Sequence, residues 1–226
     1  MDAQTPVSPR PVGEILYTRY LVPLNVSPAE LAVGAGLSEK RVLSVVRHHQ
    51  RINASFAFRL ERFLGTPSSQ WMLRQIQHDT YWARHALTGV LSTIERDISA
   101  SCKVRHLLAG PRLAGRCPQD ILAEALRMLD LSEQDLADSL GLRVTAVHCV
   151  VSRREPMTSN VAVRLEQLWE VPGEWWLERQ AACDLASAAA RLAPGDSRDP
   201  VARYRGQLRP AREEVPSGPT AAVPKH

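Results

Sequence analysis

The chain has 226 residues, of which 44% are hydrophobic and 23% are charged, and its formal net charge is +4. This length allows one or two domains, and the composition is that of an ordinary globular protein rather than a disordered or fibrous one. No apolar run approaches the roughly 18 residues of a membrane span, and the first residues lack the apolar core of a signal peptide. We therefore expect a cytoplasmic protein that does not contact membranes.

The charge is unevenly distributed along the chain. Residues 11–85 carry nine Lys/Arg and five Asp/Glu, whereas residues 117–184 carry six Lys/Arg and twelve Asp/Glu. The two halves therefore differ in sign, which indicates that they do different jobs.

Five helices are predicted in the first half, starting near Gly13, Ser27, Ser38, Ser55 and Ser68. The second of them opens on a capping box, in which the Ser27 hydroxyl and the Glu30 carboxylate satisfy each other's backbone amides. It ends at Gly36, where the chain needs a left-handed residue. The third helix has an apolar stripe at i and i+3, formed by Val42 and Val45. The fifth is expected to continue past Trp82 toward Leu91.

The second half repeats the first. Residues 27–79 and 132–184 are identical at 17 of 53 positions without a gap, where average composition would give roughly three or four by chance. The unit is too long for a solenoid repeat, so this is the duplication of a whole domain. The second series of helices is expected to start near Asp120, Ser132, Arg143, Asn160 and Gly173.

Each half contains the spacing of a helix-turn-helix unit. In the first half Ala32 lets two helices approach, Gly36 makes the turn between them, and Val42 seats the second helix on the first. The second half repeats this spacing with Ala137 and Gly141. The sequence therefore predicts an all-α fold with two tandem five-helix, lambda-repressor-like helix-turn-helix domains. The expected boundaries are 11–92 for the first domain, 93–116 for a linker, 117–190 for the second domain and 191–226 for a disordered tail.

These motifs resemble those of HigA-type antitoxins in the Xre/Cro-type helix-turn-helix superfamily. In the first half the matching segments are Pro11–Glu14, Glu30–Ala32, Gly36–Leu37, Arg59–Leu60, Phe63–Thr66 and Trp71–Gln75. In the second half they are Asp135–Ala137, Gly141–Leu142, Arg164–Leu165 and Trp176–Gln180. The resemblance implies a transcriptional regulator that binds double-stranded DNA, associates with the nucleoid when bound, and has a toxin protein or a second copy of the chain as a further partner.

The first recognition helix is expected to begin near Ser38 and to present basic residues. A major-groove helix reads bases with its N-terminal part, and Lys and Arg donate to guanine while Ser is permissive. The predicted DNA-binding residues here are Ser38, Glu39, Lys40, Arg41, Ser44, Arg47 and Arg51. The alternative is a solvated basic face without a partner.

The second recognition helix retains a basic face within an acidic domain. Residues 143–154 hold three arginines and no acid. The predicted DNA-binding residues are Arg143, Thr145, His148, Arg153 and Arg154. Acidic residues near phosphate weaken DNA binding, so the other interpretation is a module that neutralises a toxin or pairs protomers.

The remaining motifs favour structural roles. We expect Arg59 and Arg164 to form ion pairs with Glu14 or Asp120, and Trp71 and Trp176 to belong to the core. The additional Trp169 and Trp175 either close the core of the second half or form an apolar patch for a partner. The four cysteines lack metal or redox spacing, so reduced thiols are expected. No catalytic motif appears, and we predict neither enzymatic activity nor a metal or cofactor.

Overall fold

The computed structural model describes residues 8–110, 113 and 115–191. The fold is all-α, and the described residues contain no strand. The predicted tail lies, apart from its first residue, outside the described part of the chain.

The first unit consists of five α-helices. They are α1 (Val12–Leu16), α2 (Pro28–Ala35), α3 (Glu39–Val46), α4 (Ala54–Leu64) and α5 (Ser68–Ala86). The first helix is α-helical only as far as Leu16, and its continuation at Tyr17–Leu21 is π-helical. The fifth ends earlier than predicted, at a break on Leu87 that is followed by a short α6 (Thr88–Leu91).

The second unit repeats these helices. They are α8 (Pro118–Leu129), α9 (Glu133–Leu140), α10 (Val144–Val151), α11 (Ser159–Trp169) and α12 (Gly173–Arg191). The bounds of α9 to α12 equal those of α2 to α5 displaced by 105 residues. The backbone agrees as well, since the residues at 25, 36, 48 and 65 and those at 130, 141, 153 and 170 all have positive φ.

An additional helix, α7 (Ile98–Leu108), lies between the units and packs on α8 and α11. Asp97 caps it by accepting from the Ala100 amide at 2.8 Å, and the Asp97 amide donates to the Leu168 carbonyl at 3.1 Å. Val104 on this helix is fully buried and joins the core of the second unit. The segment between the units is therefore attached to the second.

The two units pack against each other through their fourth and fifth helices. Helix α5 contacts both α12 and α11, and α4 contacts α12. Helices α4 and α11 are equivalent in the two units, as are α5 and α12. The contact of α5 with α11 is therefore equivalent to that of α12 with α4, and the contact of α5 with α12 is equivalent to itself. That pattern is the isologous contact of a symmetric dimer. Ile76 of α5 lies in the second core, and Leu185 of α12 packs on the first.

The tryptophans of the repeated motif are core residues, as expected. Trp71, Trp169 and Trp176 are at most 1% exposed. Trp175 is half-buried, lies edge-on to Trp176 and has the Arg179 guanidinium 5.0 Å from its ring centroid. The additional tryptophans thus close the core of the second unit, with Arg179 covering the outer ring.

The cysteines depart from the sequence expectation. Cys117, which precedes α8, and Cys183 on α12 form a disulfide with a Cα–Cα distance of 5.9 Å. Only Cys102 and Cys149 are free among the described cysteines. The expectation of four reduced thiols was wrong for this pair because folding brings together residues that are 66 positions apart in sequence.

Candidate nucleic-acid interface

Helices α2 and α3 form the first helix-turn-helix unit. Gly36 has φ 63° and ends α2, and the Leu37 amide returns to the Ala32 carbonyl at 2.8 Å. Ser38 then caps α3 by accepting from the Arg41 amide at 3.3 Å. Val42 and Val45 are buried against the core. The opposite side of α3 must therefore face away from the protein.

That outward side is the first reading face, formed by Glu39, Lys40, Leu43, Ser44 and Arg47. With His49 these residues line a shallow groove. Glu39, Lys40 and Arg47 are exposed, and their side chains make no hydrogen bond or ion pair with the described part of the chain. Their charges are therefore available to a ligand.

Arg41 and Arg51 are placed differently from these residues. Arg41 is half-buried and donates to the Gln50 side chain and, at 3.0 Å, to the Arg51 carbonyl. The Arg51 guanidinium lies 3.4 Å from Asp79. Arg41 thus supports the turn that follows α3, while Arg51 is exposed at the edge of the face.

Helices α9 and α10 repeat this geometry in the second unit. Residues displaced by 105 from the first reading face form the second reading face, which consists of Val144, Thr145, His148, Cys149 and Ser152. Thr145 is exposed, and Val144 is 37% exposed. Arg143 occupies the N-cap position of α10 without a capping hydrogen bond from its side chain. It has no ion pair within the described residues.

Two predicted DNA-binding residues of the second unit have intramolecular partners. His148 Nδ1 lies 2.9 Å from a Glu133 carboxylate oxygen. Arg153 forms a two-point ion pair with Asp120, donating from Nε at 3.0 Å and from Nη2. The hydrogen bond from Arg153 lowers the pKa of Asp120. Of the predicted charges, Arg143 and Arg154 therefore remain unpaired among the described residues.

The repeated Arg-Leu-Glu motif supports these helices by a mechanism that the sequence analysis did not predict. Arg59 Nη1 donates to the carbonyls of Ala35 and Gly36 at 3.2 and 2.7 Å. Arg164 donates likewise to the carbonyls of Leu140 and Gly141. The expected ion pairs with Glu14 or Asp120 are wrong, since Glu14 pairs with Arg10 and Asp120 with Arg153. The arginines instead satisfy the free carbonyls at the ends of α2 and α9.

The glutamates of the same motif cap the fifth helix of each unit. Glu61 accepts from the Ser68 amide at 3.1 Å, and Glu166 accepts from the Gly173 amide at 2.8 Å. A carboxylate at a helix N-terminus satisfies a free amide and complements the helix dipole. The motif thus connects the turn of the reading unit to the helix that forms the contact between units.

Gln75 and Gln180 also support the segments that follow α3 and α10. This role was not predicted from the sequence. Gln75 accepts from the Ile52 amide at 3.2 Å, and Gln180 accepts from the Met157 amide at 3.0 Å. Each thereby fixes the chain that follows α3 or α10. The recurrence of a glutamine four residues after Trp71 and after Trp176 is the sequence feature that could have indicated this role.

The described residues offer little for other chemistry. They contain no group of three or more His, Cys, Asp or Glu side chains that could hold a metal ion. Within the same residues, no helix has the length and apolarity needed to traverse a bilayer. Helices α3 and α10 each expose one side, and contacts that recur in both units hold them in place. Such an arrangement suits recognition of a partner at the protein surface.

Comparison with known proteins agrees with a helix-turn-helix architecture. The chain is 36% identical over 91 residues to virulence-associated protein I of Dichelobacter nodosus, covering 38% of this chain and 84% of that protein. It is 35% identical over 69 residues to the uncharacterized HTH-type transcriptional regulator YbaQ of Escherichia coli K12, covering 30% of this chain and 61% of the regulator. No family model matches, and no solved structure matches significantly.

Proposed function

We propose that the chain is a sequence-specific transcriptional regulator that reads double-stranded DNA with α3 and α10, and its similarity to an HTH-type transcriptional regulator supports this. We further propose that it is antitoxin-like, with the two domains at 11–92 and 117–190. The observation that carries the proposal is the first reading face. Its charged side chains project from a braced helix and have no partner in the described structure.

The chemistry of the first reading face suits the major groove. Lys40 can donate to guanine, and Glu39 can accept from the cytosine amino group. Arg47, at the far end of α3, is placed for phosphate contact, which positions a protein on DNA without reading sequence. Both kinds of contact are needed for specific binding.

The contact between the units supports the use of both helices. Helix-turn-helix proteins commonly bind as two-fold dimers whose half-sites lie about 10 bp apart. Here α4, α5, α11 and α12 relate the two units as a symmetric dimer would. We propose that one chain takes the place of that dimer, with the half-sites spaced by about one helical turn.

The test is selection of bound duplexes from a random pool with the full chain. We expect an enriched site, and Lys40→Ala should weaken its binding by roughly ten- to a hundredfold. Arg47→Ala should weaken all sequences alike and reduce the salt dependence by about one counterion. Lys103→Ala is the matched control, since Lys103 is exposed on α7, a helix that belongs to neither reading face. The absence of any enriched site at moderate salt would contradict the proposal.

A second candidate function is a protein-interaction module, in which the acidic second unit neutralises a toxin or pairs two chains. The excess of acidic residues between 117 and 184 favours it. Light scattering of the full chain tests pairing, and co-purification with the product of a neighbouring gene tests a toxin. A monomer at micromolar concentration that retains no neighbouring product would exclude this candidate.

A further inference from the structure

The two reading faces have the same backbone but different chemistry. Their equivalent positions carry Glu39 and Val144, Lys40 and Thr145, Leu43 and His148, Ser44 and Cys149, and Arg47 and Ser152. No position of the face is identical in the two units. The face around α3 therefore holds three charged residues, while the face around α10 holds no Lys, Arg, Asp or Glu, and its His148 already contacts Glu133.

Two pairs of equivalent contacts hold the backbone of both faces, so the contrast between the faces comes from their side chains. Arg59 and Arg164 brace the preceding turns, and Gln75 and Gln180 brace the chain that follows. The residues at 48 and 153 have φ 63° and 60°. A side chain at one position of α3 consequently occupies the same place as its counterpart on α10.

The second face suits a base that presents a methyl group. Thymine is the only base of DNA that places a methyl in the major groove, and apolar side chains and the threonine methyl contact it. Val144 and Thr145 expose such methyls at the start of α10. The same positions of α3 carry the Glu39 carboxylate and the Lys40 ammonium, which match cytosine and guanine.

We propose that the chain reads a non-palindromic site in one fixed orientation, with a G·C-specified half under α3 and a thymine-specified half under α10. This inference rests on the proposed function and adds the bases that each half selects. A homodimer of one helix-turn-helix unit reads the same half-site twice. The unequal faces of this chain remove that symmetry and give the site a direction.

The first experiment exchanges the two faces in the full chain. Selection with the unmodified protein should enrich an asymmetric site. The double variant Glu39→Val with Lys40→Thr should convert the G·C half into a second thymine half, and Val144→Glu with Thr145→Lys should do the reverse. All four side chains are exposed, so the thermal unfolding temperature should hardly change. Lys103→Ala should enrich the original site.

The second experiment uses the unmodified chain and does not depend on how the variants fold. Replacing thymine by deoxyuridine removes the methyl and nothing else. Each replacement in the half under α10 should weaken binding about fourfold, the effect of one buried methyl group, and replacement in the other half should have no effect.

The outcomes separate this inference from the function on which it rests. No enriched site would contradict both. An enriched palindrome, or a single half-site, would leave the regulator proposal standing and overturn the asymmetric reading. The asymmetric reading would also be overturned by an asymmetric site whose binding is unchanged both by the exchange variants and by deoxyuridine. In that case, residues other than these four would select the bases.

Discussion

Arg84 near the end of α5 and Glu174 in the first turn of α12 join the two units through two hydrogen bonds of 2.7 Å. Arg84 also donates to Glu166 at 2.7 Å, and Thr80 donates to Glu174 at 2.8 Å. In the other unit, the position equivalent to Arg84 is occupied by Ala189 and the position equivalent to Glu174 by Ser69. The cluster therefore occurs on one side of the contact only. This contact between the units is therefore held by a polar cluster that the duplication does not repeat.

The first prediction concerns this cluster. Arg84→Ala should reduce the free energy of unfolding by about 2 kcal/mol, between the values for exposed and for fully buried ion pairs. Urea denaturation measures it. Arg96→Ala is the control, because Arg96 is 62% exposed and lies 3.6 Å from Glu170, and it should cost less than about 1 kcal/mol. Equal effects of the two changes would contradict a special role for Arg84.

The same cluster predicts a pH dependence. Burial alone would raise the pKa of Glu174, but hydrogen bonds from Arg84 and Thr80 outweigh it and lower the pKa from 4.5 to about 2. A carboxyl with a depressed pKa contributes its full stability above its unfolded pKa, near 4.5, and loses it as the pH falls toward 2. Glu174→Gln should therefore flatten the acid side of a curve of unfolding temperature against pH. An unchanged acid limb would contradict the prediction.

The second prediction concerns the braces of the helix ends. Arg164 is 6% exposed, and burial lowers its pKa. Arg164→Met should cost about 2–3 kcal/mol of unfolding free energy, since it leaves the carbonyls of Leu140 and Gly141 without their donor. Chemical denaturation measures the loss. Arg127→Met removes an exposed arginine whose side chain hydrogen-bonds to Ala123 of its own helix, and it should change stability by less than about 0.5 kcal/mol.

The third prediction concerns the close approach of α1 to α3. A Cβ on Gly13 would lie 1.9 Å from the carbonyl oxygen of Val45, so one of the two helices must move to admit it. Gly13→Ala should therefore destabilise the protein by about 1–3 kcal/mol and weaken DNA binding by displacing α3. Gly89→Ala is the control, because a Cβ there would lie more than 4 Å from every atom beyond its chain neighbours and its own helix backbone. Calorimetry measures the first effect and duplex titration the second.

The fourth prediction concerns the disulfide. Closing a loop of 66 residues restricts the unfolded chain, which corresponds to about 4 kcal/mol in the chain-entropy model. A reductant, or Cys117→Ser with Cys183→Ser, should lower the unfolding temperature, whereas Cys102→Ser with Cys149→Ser should not. Thiol titration under denaturing conditions should find two free thiols before reduction and four after it. Four thiols before reduction would contradict the disulfide.

Much of the fold was predictable because its signals are local. Ser27 and Glu30 form the expected capping box, and Gly36 has the expected left-handed conformation. These features depend on residues within one turn of each other, and the repeat displays them twice. The helices from α2 to α5 and from α9 to α12 consequently begin close to their predicted starts.

The candidate site was predictable only in part. Position in the helix indicated that Lys40 and Thr145 are exposed, and the structure places both on outward faces. The same reasoning treated Arg41 and Arg153 as available, yet Arg41 bonds to the following turn and Arg153 to Asp120. Such pairings join separate elements, so helical periodicity does not reveal them.

The sequence by itself determined the class of fold, the repeated helix-turn-helix spacing and the basic residues after each turn. It did so because capping, left-handed glycines and helical periodicity act over a few residues. Only the tertiary structure decided which charges stay unpaired, that Arg59 and Arg164 brace helix ends, and that Arg84 joins the units. Those outcomes depend on distances between residues far apart in the chain, which packing alone sets.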